Sequence, residues 1–340
     1  MSGFADIIGQ QRPIDVLRQA MRSGKVAHAY LFAGAPGVGK ATTARVFAAA
    51  LNCQSLPDDA CGTCISCHKM AEGNHPDYFE IAREADKKNI TIDKIREAIK
   101  QTQYRPYEGR YKVFLIDGAE QMTIEAANAL LKTLEEPTAQ TVFILVTPAP
   151  HQLPSTVVSR CQTLRFNAIE QTQVSQWAQM NLGMDEQDAD LAAALAEGSL
   201  GRAETLDLGA LRETRLALFE SLVADDDPEE IRAMKLGSVL LQQCDDLRDG
   251  IELLAGFIRD AVLWQISGDE QRLRNRDVHD LITQYAGRYE SKALLAKTRS
   301  LVYAWRLVER NVNKTAIAEG LSLDLITRKP TSFAAGRLPR

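Results

Sequence analysis

The stretch Gly34-Ala35-Pro36-Gly37-Val38-Gly39-Lys40-Ala41 sets three glycines and a lysine at the spacing that wraps a phosphate chain. Glycines let the backbone turn its N–H groups toward anionic oxygens. The helix that follows adds the positive end of its dipole, and Lys40 reaches the outer phosphates. Such a loop closes on Ser or Thr, whose hydroxyl holds Mg²⁺. Here the closing residue is Ala41. Thr42 comes one position late, and a helix turns it about 100° away. The phosphate cradle is legible; its metal ligand is missing.

A second element of such a site is an apolar strand ending in acid. Residues 112–116 supply the strand and Asp117 the acid, placed either to orient Mg²⁺ through water or to cap the strand's turn. Hydrolysis asks for a second carboxylate beside it to polarise water. That position holds Gly118, which cannot act as a base, and Glu120 lies two residues further on. Both carriers of hydrolysis, the hydroxyl and the base, are absent from their places.

Four of the six cysteines crowd together as Cys53-x7-Cys61-x2-Cys64-x2-Cys67. In a reducing compartment such a cluster binds metal more often than it forms disulfides. Four soft thiolates suit tetrahedral Zn²⁺ and close the site to water, so the zinc is expected to be structural, with an iron–sulfur cluster as the alternative. His68 follows Cys67 and is read as a bystander; Cys161 and Cys244 are read as small core residues. His75 and His151 have no neighbouring Cys, Ser or carboxylate arranged for nucleophilic catalysis.

These residues need elements to hold them. The 340 residues, 45% apolar and 25% charged, suffice for two or three domains with real cores. No apolar run approaches a membrane span and no basic-then-apolar leader opens the chain, so a cytoplasmic protein is expected. A net charge of −5 argues against broad coating of nucleic acid while leaving room for a local basic contact. Apolar strands are read at 30–33, 79–81, 112–116, 142–147 and 163–166, alternating with helical patterns at 42–51, 92–102 and 124–134, the last with Thr123 as N-cap. Such alternation predicts an α/β fold: a parallel sheet covered by helices, with ligands at the strands' C-terminal ends. Strand signals stop near 168. A small helical segment ends near Gly198, Asp225–Pro228 reads as a turn, and the remainder is all helix with a stripe of Leu301, Trp305 and Val308. The tail 328–340, rich in Pro, Gly and basic residues, reads as frayed.

Taken in order, Ile7-Ile8-Gly9-Gln10, His28-Ala29-Tyr30-Leu31-Phe32, the phosphate loop, the four cysteines, His75-Pro76-Asp77, the run from Asn128 to Pro137, and Ser159-Arg160-Cys161 resemble a bacterial clamp-loader subunit of the AAA+ ATPase superfamily. The resemblance covers about residues 4–205 and implies a RecA-like AAA+ domain over 1–167 with a zinc module at 53–67. It further implies a helical lid over 168–208 and an all-α collar, the oligomerisation domain, over 209–327. Ala41 and Gly118 depart from the ATP-hydrolysing gamma/tau motors of that family, as does Gly201 where they carry a sensing arginine, Arg202 standing one place late. The departures are closer to the family's delta-prime branch.

The resemblance also implies roles. Arg160 reaches in trans into a neighbour's ATP site, where a guanidinium stabilises charge building on transferring phosphate; its plainer reading is a surface ion pair. Gly34, Gly37, Gly39, Lys40, Thr42, Asp117 and Thr147, the last at the first-sensor position, form the nucleotide site, with ATP or ADP bound weakly or not at all. Implied partners are gamma/tau and delta subunits in a heteropentamer, and through it the sliding clamp and primed DNA of DNA polymerase III. Two alternatives stay open: a motor whose metal is held by Asp117 and water, and a scaffold with an empty nucleotide site.

Overall fold

The computed structural model describes residues 3–84, 87, 89–224, 227–244, 246–310 and 312–327. The chain forms two compact units that join in sequence between Thr205 and Leu206. Part of the expected turn at 225–228 and the whole tail 328–340 lie outside the described residues.

In the first unit five strands form one parallel sheet: β1 (Ala29–Ala33), β2 (Tyr78–Ile81), β3 (Lys112–Asp117), β4 (Thr141–Thr147) and β5 (Gln162–Arg165). Their spatial order is β2-β3-β4-β1-β5, so the chain leaves β1 for the far edge, returns strand by strand, and ends on β1's other side. This is the parallel sheet that the alternation of strands and helices predicts. Phe166, expected in the last strand, lies beyond it, although its N–H still donates to Ala33 O at 2.8 Å.

Parallel strands buried on both faces read as continuous apolar runs, and β1 and β4 are buried throughout. Alternate residues serve opposite layers. Tyr30 and Phe32 pack with Phe47, Leu17 and Val46 under α1 (Gln11–Arg22) and α2 (Lys40–Leu51). After the short α3 (Ile65–Ala71), Leu31 and Leu145 pack the other way, with Ile95, Leu130 and Leu134 of α4 (Ile92–Thr102) and α5 (Ile124–Glu135). Thr123 caps α5 as expected, accepting from Ala126 N at 3.2 Å. On that face Phe79, Phe114 and Phe143 stack across three strands at 4.9 and 5.0 Å. Past α6 (Ser155–Val158) and β5, the helices α7 (Gln171–Leu182), α8 (Glu186–Leu195) and α9 (Leu200–Thr205) complete the unit. Gly198 marks the expected stop, with φ +81 two residues beyond the C-cap of α8.

The second unit is helical throughout its described residues: α10 (Leu208–Val223), α11 (Glu229–Gln242), α12 (Leu247–Ser267), α13 (His279–Arg288), α14 (Ser291–Glu309) and α15 (Lys314–Ile326). Its core carries an aromatic chain, Phe219 to Phe257 at 4.4 Å and Phe257 to Tyr285 at 5.5 Å. Buried Lys297 donates to the carbonyls of Asp324, Leu325 and Thr327 at 2.8–3.0 Å, satisfying the end of α15. Leu301 and Val308 are core, whereas Trp305 is half-buried.

A buried carboxylate in the first unit fixes the connection between α4 and β3. Asp77, fully buried, accepts from the backbone N–H groups of Tyr107, Glu108 and Gly109 at 2.6, 2.9 and 2.8 Å. Burial pushes its pKa up, and these three bonds outweigh that and leave it below the usual carboxylate value. Asp77→Asn sets an amide among three donors and is expected to cost about 1–3 kcal/mol in denaturant unfolding at neutral pH. Because the folded pKa is depressed, the wild-type advantage is complete above the unfolded value near about 4. It closes as the pH falls through the folded one, which unfolding of both proteins across that range checks.

Candidate functional site

The order of the sheet decides where a ligand sits. β1 lies beside β4, from which the chain crosses over it to β5, so the loops leaving β1, β3 and β4 open toward one crevice. The phosphate loop follows β1 directly. A Cβ on Gly34 would stand 2.3 Å from the carbonyl oxygen of Phe166, so this turn admits only glycine. Gly37 has φ +71, and a Cβ there would stand 2.1 Å from Ser199 Oγ. Gly39, at φ +94, is the N-cap of α2, which begins at Lys40, two residues earlier than its periodicity suggests. Gln10 ties the loop to its surroundings, its side-chain amide donating to Val38 O at 3.1 Å and Asn167 O at 2.8 Å.

The crevice holds about 700 Å³. Its walls include Ile7 and Ile8, the loop residues Gly37, Gly39, Lys40, Ala41 and Thr42, and Asp117 with Gly118; Trp177 and Gly201 come from α7 and α9. Of the expected nucleotide residues, the structure thus brings Gly37, Gly39, Lys40, Thr42 and Asp117 to one cavity. Gly34 supports it from behind. Thr147 is fully buried and outside the lining residues, and its Oγ1 accepts from Ala149 N at 3.0 Å.

Acids outnumber bases in the cavity. Asp6, Asp117, Glu120 and Glu204 line it, and Lys40 is the only cation among the described lining residues. Burial lowers the Lys40 pKa while Asp117 and Glu120 oppose that shift. Its ammonium donates to the loop's own carbonyls, Gly34 O at 2.7 Å and Ala35 O at 2.6 Å. Asp117 is shifted upward, first by burial and further by Glu80 and Glu120, against the pull of Arg45 and Lys40. Gly118 offers no carboxylate, and Gly201, where a motor carries its arginine, donates its backbone N–H to Gly37 O at 3.2 Å. The small helical layer therefore touches the loop main chain to main chain.

The four cysteines converge. The sulfurs of Cys53, Cys61, Cys64 and Cys67 all lie within 4.8 Å of one another, a soft tetrad able to hold a metal ion. Their local order comes from the N-terminus of α3, where Cys64 is the N-cap and accepts from Cys67 N. Hydrogen bonds from the Thr63 hydroxyl, with the backbone N–H groups of Thr63 and Cys64, pull the Cys61 thiol down to about 5, while burial pushes Cys67 up to about 12. A cation held by the four sulfurs would supply charge that offsets the cost at Cys67. His68 is exposed and outside the tetrad. His75 is buried, with Nε2 3.1 Å from Ser66 Oγ. Cys161 and Cys244 are half-buried rather than core. The knuckle grips the next loop, since Arg110 donates to Cys53 O at 2.6 Å and Asn52 bonds both Tyr111 N and Tyr111 O at 2.9 Å.

Arg160 follows α6 at the surface, outside the lining of the crevice. Its Nη2 meets Glu135 Oε1 at 2.6 Å and its Nη1 donates to Thr156 O at 2.8 Å, with the side chain one-third exposed.

Known proteins resemble this chain over most of its length. Residues 9–170 match the family model described as DNA polymerase III, delta subunit, and residues 210–325 match DNA polymerase III, delta subunit, C terminal. The DNA polymerase III subunit delta' of Pseudomonas aeruginosa is 31% identical over 304 residues, covering 87% of this chain and 90% of that protein. The chain belongs to the delta-prime family of DNA polymerase III. A second delta-prime protein, from Bacillus subtilis, is 28% identical and covers 93% of this chain and 96% of its own. The tau/gamma subunit of Haemophilus influenzae is 38% identical over 203 residues, of which this chain spans 29% of the length. The delta-prime matches take in nearly the whole of both proteins, whereas the tau subunit of Bacillus subtilis, 30% identical over 319 residues and 86% of this chain, is covered over 55% of its own length.

Some site residues of this delta-prime-family chain escape a reading of its sequence. Trp177 and Glu204 sit on helices with no motif, and only the fold turns them into the crevice. Gln10 lies within a recognisable segment, but its partners are 28 and 157 residues away. Cys61→Ser and Cys67→Ser are expected to lose bound metal, read by elemental analysis of protein prepared without chelator. Because the knuckle anchors 103–111, both variants are also expected to be cleaved faster in that loop by trypsin. Metal-free wild-type protein, or variants as resistant as wild type, would contradict this.

Proposed function

We propose that this chain is a stator of the DNA polymerase III clamp loader, a subunit that completes a neighbour's ATPase site and hydrolyses little or no ATP itself. The observation that carries the reading is the charge of the crevice, where four acids face one lysine at a cradle built for phosphate. Triphosphate entering it meets repulsion from Asp6, Asp117, Glu120 and Glu204 with neither a Ser or Thr at position 41 nor a general base at 118. Arg160, in contrast, stands at the surface, where a permanently charged fork is available to phosphate bound on another subunit.

In this reading residues 1–167 form the RecA-like domain, 168–208 its lid and 209–327 a collar that joins gamma/tau-type motors and a delta subunit in a heteropentamer. Zn²⁺ on Cys53, Cys61, Cys64 and Cys67 is structural: four thiolates leave no open position for water. The assembly acts in the cytoplasm, opening the sliding clamp and placing it on primed DNA, with this chain as a fixed end against which the motors work. The motor alternative is weakened by the acid-lined crevice; the plain scaffold differs from the stator only in assigning nothing to Arg160.

Reconstituted loader with clamp and primed DNA tests the reading through ATPase and loading rates. Arg160→Ala is expected to lower both by about tenfold or more, and Lys40→Ala to change them by less than about twofold. Collapse with Lys40→Ala would mean that the chain hydrolyses ATP. If neither variant had an effect in intact assemblies, the scaffold would be the better account.

A further inference from the structure

We infer that Glu135 is the positioning residue for Arg160, holding its guanidinium ready for the neighbouring site. The inference rests on the proposed role of Arg160 in trans. Glu135 is the last residue of α5, followed by Glu136 as C-cap and then Pro137. A helix C-terminus is the negative end of its dipole, so carboxylates there are disfavoured. Two in succession break a local rule, and such breaks cluster where function requires them.

The geometry supplies the compensation. Glu135 Oε1 accepts from Arg160 Nη2 at 2.6 Å, while Arg160 Nη1 donates to Thr156 O at 2.8 Å and lies 3.5 Å from Ser159 Oγ. The guanidinium is therefore held between two helix ends, the carboxylate at the close of α5 and a carbonyl of α6. The pair is half-open to solvent, with side-chain exposures of 33% for Arg160 and 50% for Glu135. An ion pair this exposed contributes little to folding. Its effect is on the freedom of the arginine, a long side chain that otherwise samples many rotamers.

A guanidinium carries five N–H donors in one plane. Glu135 engages one edge of it and leaves donors for a second anion, so phosphate on a neighbour is met by a side chain already oriented. Ordering in advance lowers the barrier of the reaction step without changing how ATP binds the motor. The role therefore falls on kcat and spares KM.

The test uses the complete loader with clamp and primed DNA, following ATPase against ATP concentration for wild type, Glu135→Gln, Glu135→Asp, Arg160→Ala and the Glu135→Gln/Arg160→Ala double variant. Glu135→Gln is expected to lower kcat about three- to tenfold with KM changed by less than about twofold. Assembly by size exclusion and thermal midpoint should stay as in wild type. Glu135→Asp, which keeps the charge, should recover part of the loss, and the double variant should be no slower than Arg160→Ala. Wild-type rates in Glu135→Gln beside a collapse in Arg160→Ala would overturn the positioning role and leave the trans arginine standing. A faster Glu135→Gln would make the carboxylate a competitor, and a double variant slower than Arg160→Ala would place its action elsewhere; either result overturns the inference. An inert Arg160→Ala removes both the inference and the role on which it rests.

Discussion

The first unit depends on the placement of β1, hydrogen-bonded along its length to β4 on one side and to β5 on the other. That pairing fixes the turn after Ala33 in the crevice between strands, where Gly34 meets the carbonyl of Phe166 and admits no side chain. The glycine loop, the start of α2 and the inward course of Lys40 all follow from this one seat. β3 reaches the same edge through β4, which brings Asp117 opposite the lysine. Because β1 and β4 are parallel and buried on both faces, a single slip of register between them would exchange the two cores and dismantle the crevice.

Much of this was legible from side-chain pattern. β1, β3 and β4 are short apolar runs, while β5, Gln162–Arg165, is mostly exposed and was signalled chiefly by Leu164 and the flanking Phe166; the helices at 92–102 and 124–135 follow their apolar spacing to within a residue. The cysteine spacing named its four ligand candidates because tetrads of this kind close locally, around the turn that starts α3. What stayed hidden was the assignment of isolated polar residues. Gln10 bonds across 157 residues, and Glu204 enters the crevice only because α9 packs on the loop; neither fact has a local sequence signature. Glu135 and Glu136 looked alike in sequence, as two acids before a proline, and the fold gives Glu135 an arginine partner. Thr147 is bonded in a way its sequence position did not signal. Its place at a strand end suggested a hydroxyl facing ligand, whereas the bend after β4 draws that hydroxyl to Ala149 N.

The unit keeps its phosphate architecture in an acidic setting. Loop, helix start and lysine are intact, so the backbone there still carries the anion-seeking geometry of a nucleotide site. The surrounding acids and the alanine at 41 act in the other direction. Such a combination suits a domain whose shape matters to its neighbours more than its own turnover. The cysteine knuckle fits that emphasis: through Asn52 and Arg110 it braces the connection that Asp77 also holds, two independent anchors on one loop.

The bond from Gly201 N to Gly37 O joins α9 to the phosphate loop with main-chain atoms alone. Donor and acceptor both belong to the backbone, and a Cβ on Gly201 would stand 3.2 Å from Gly37 Cα, so any side chain there presses on the loop. An arginine at that position could reach a phosphate, whereas glycine offers only its backbone N–H, which the loop's own carbonyl takes up. The joint is thus made by the chain's own backbone, independent of any side chain's rotamer.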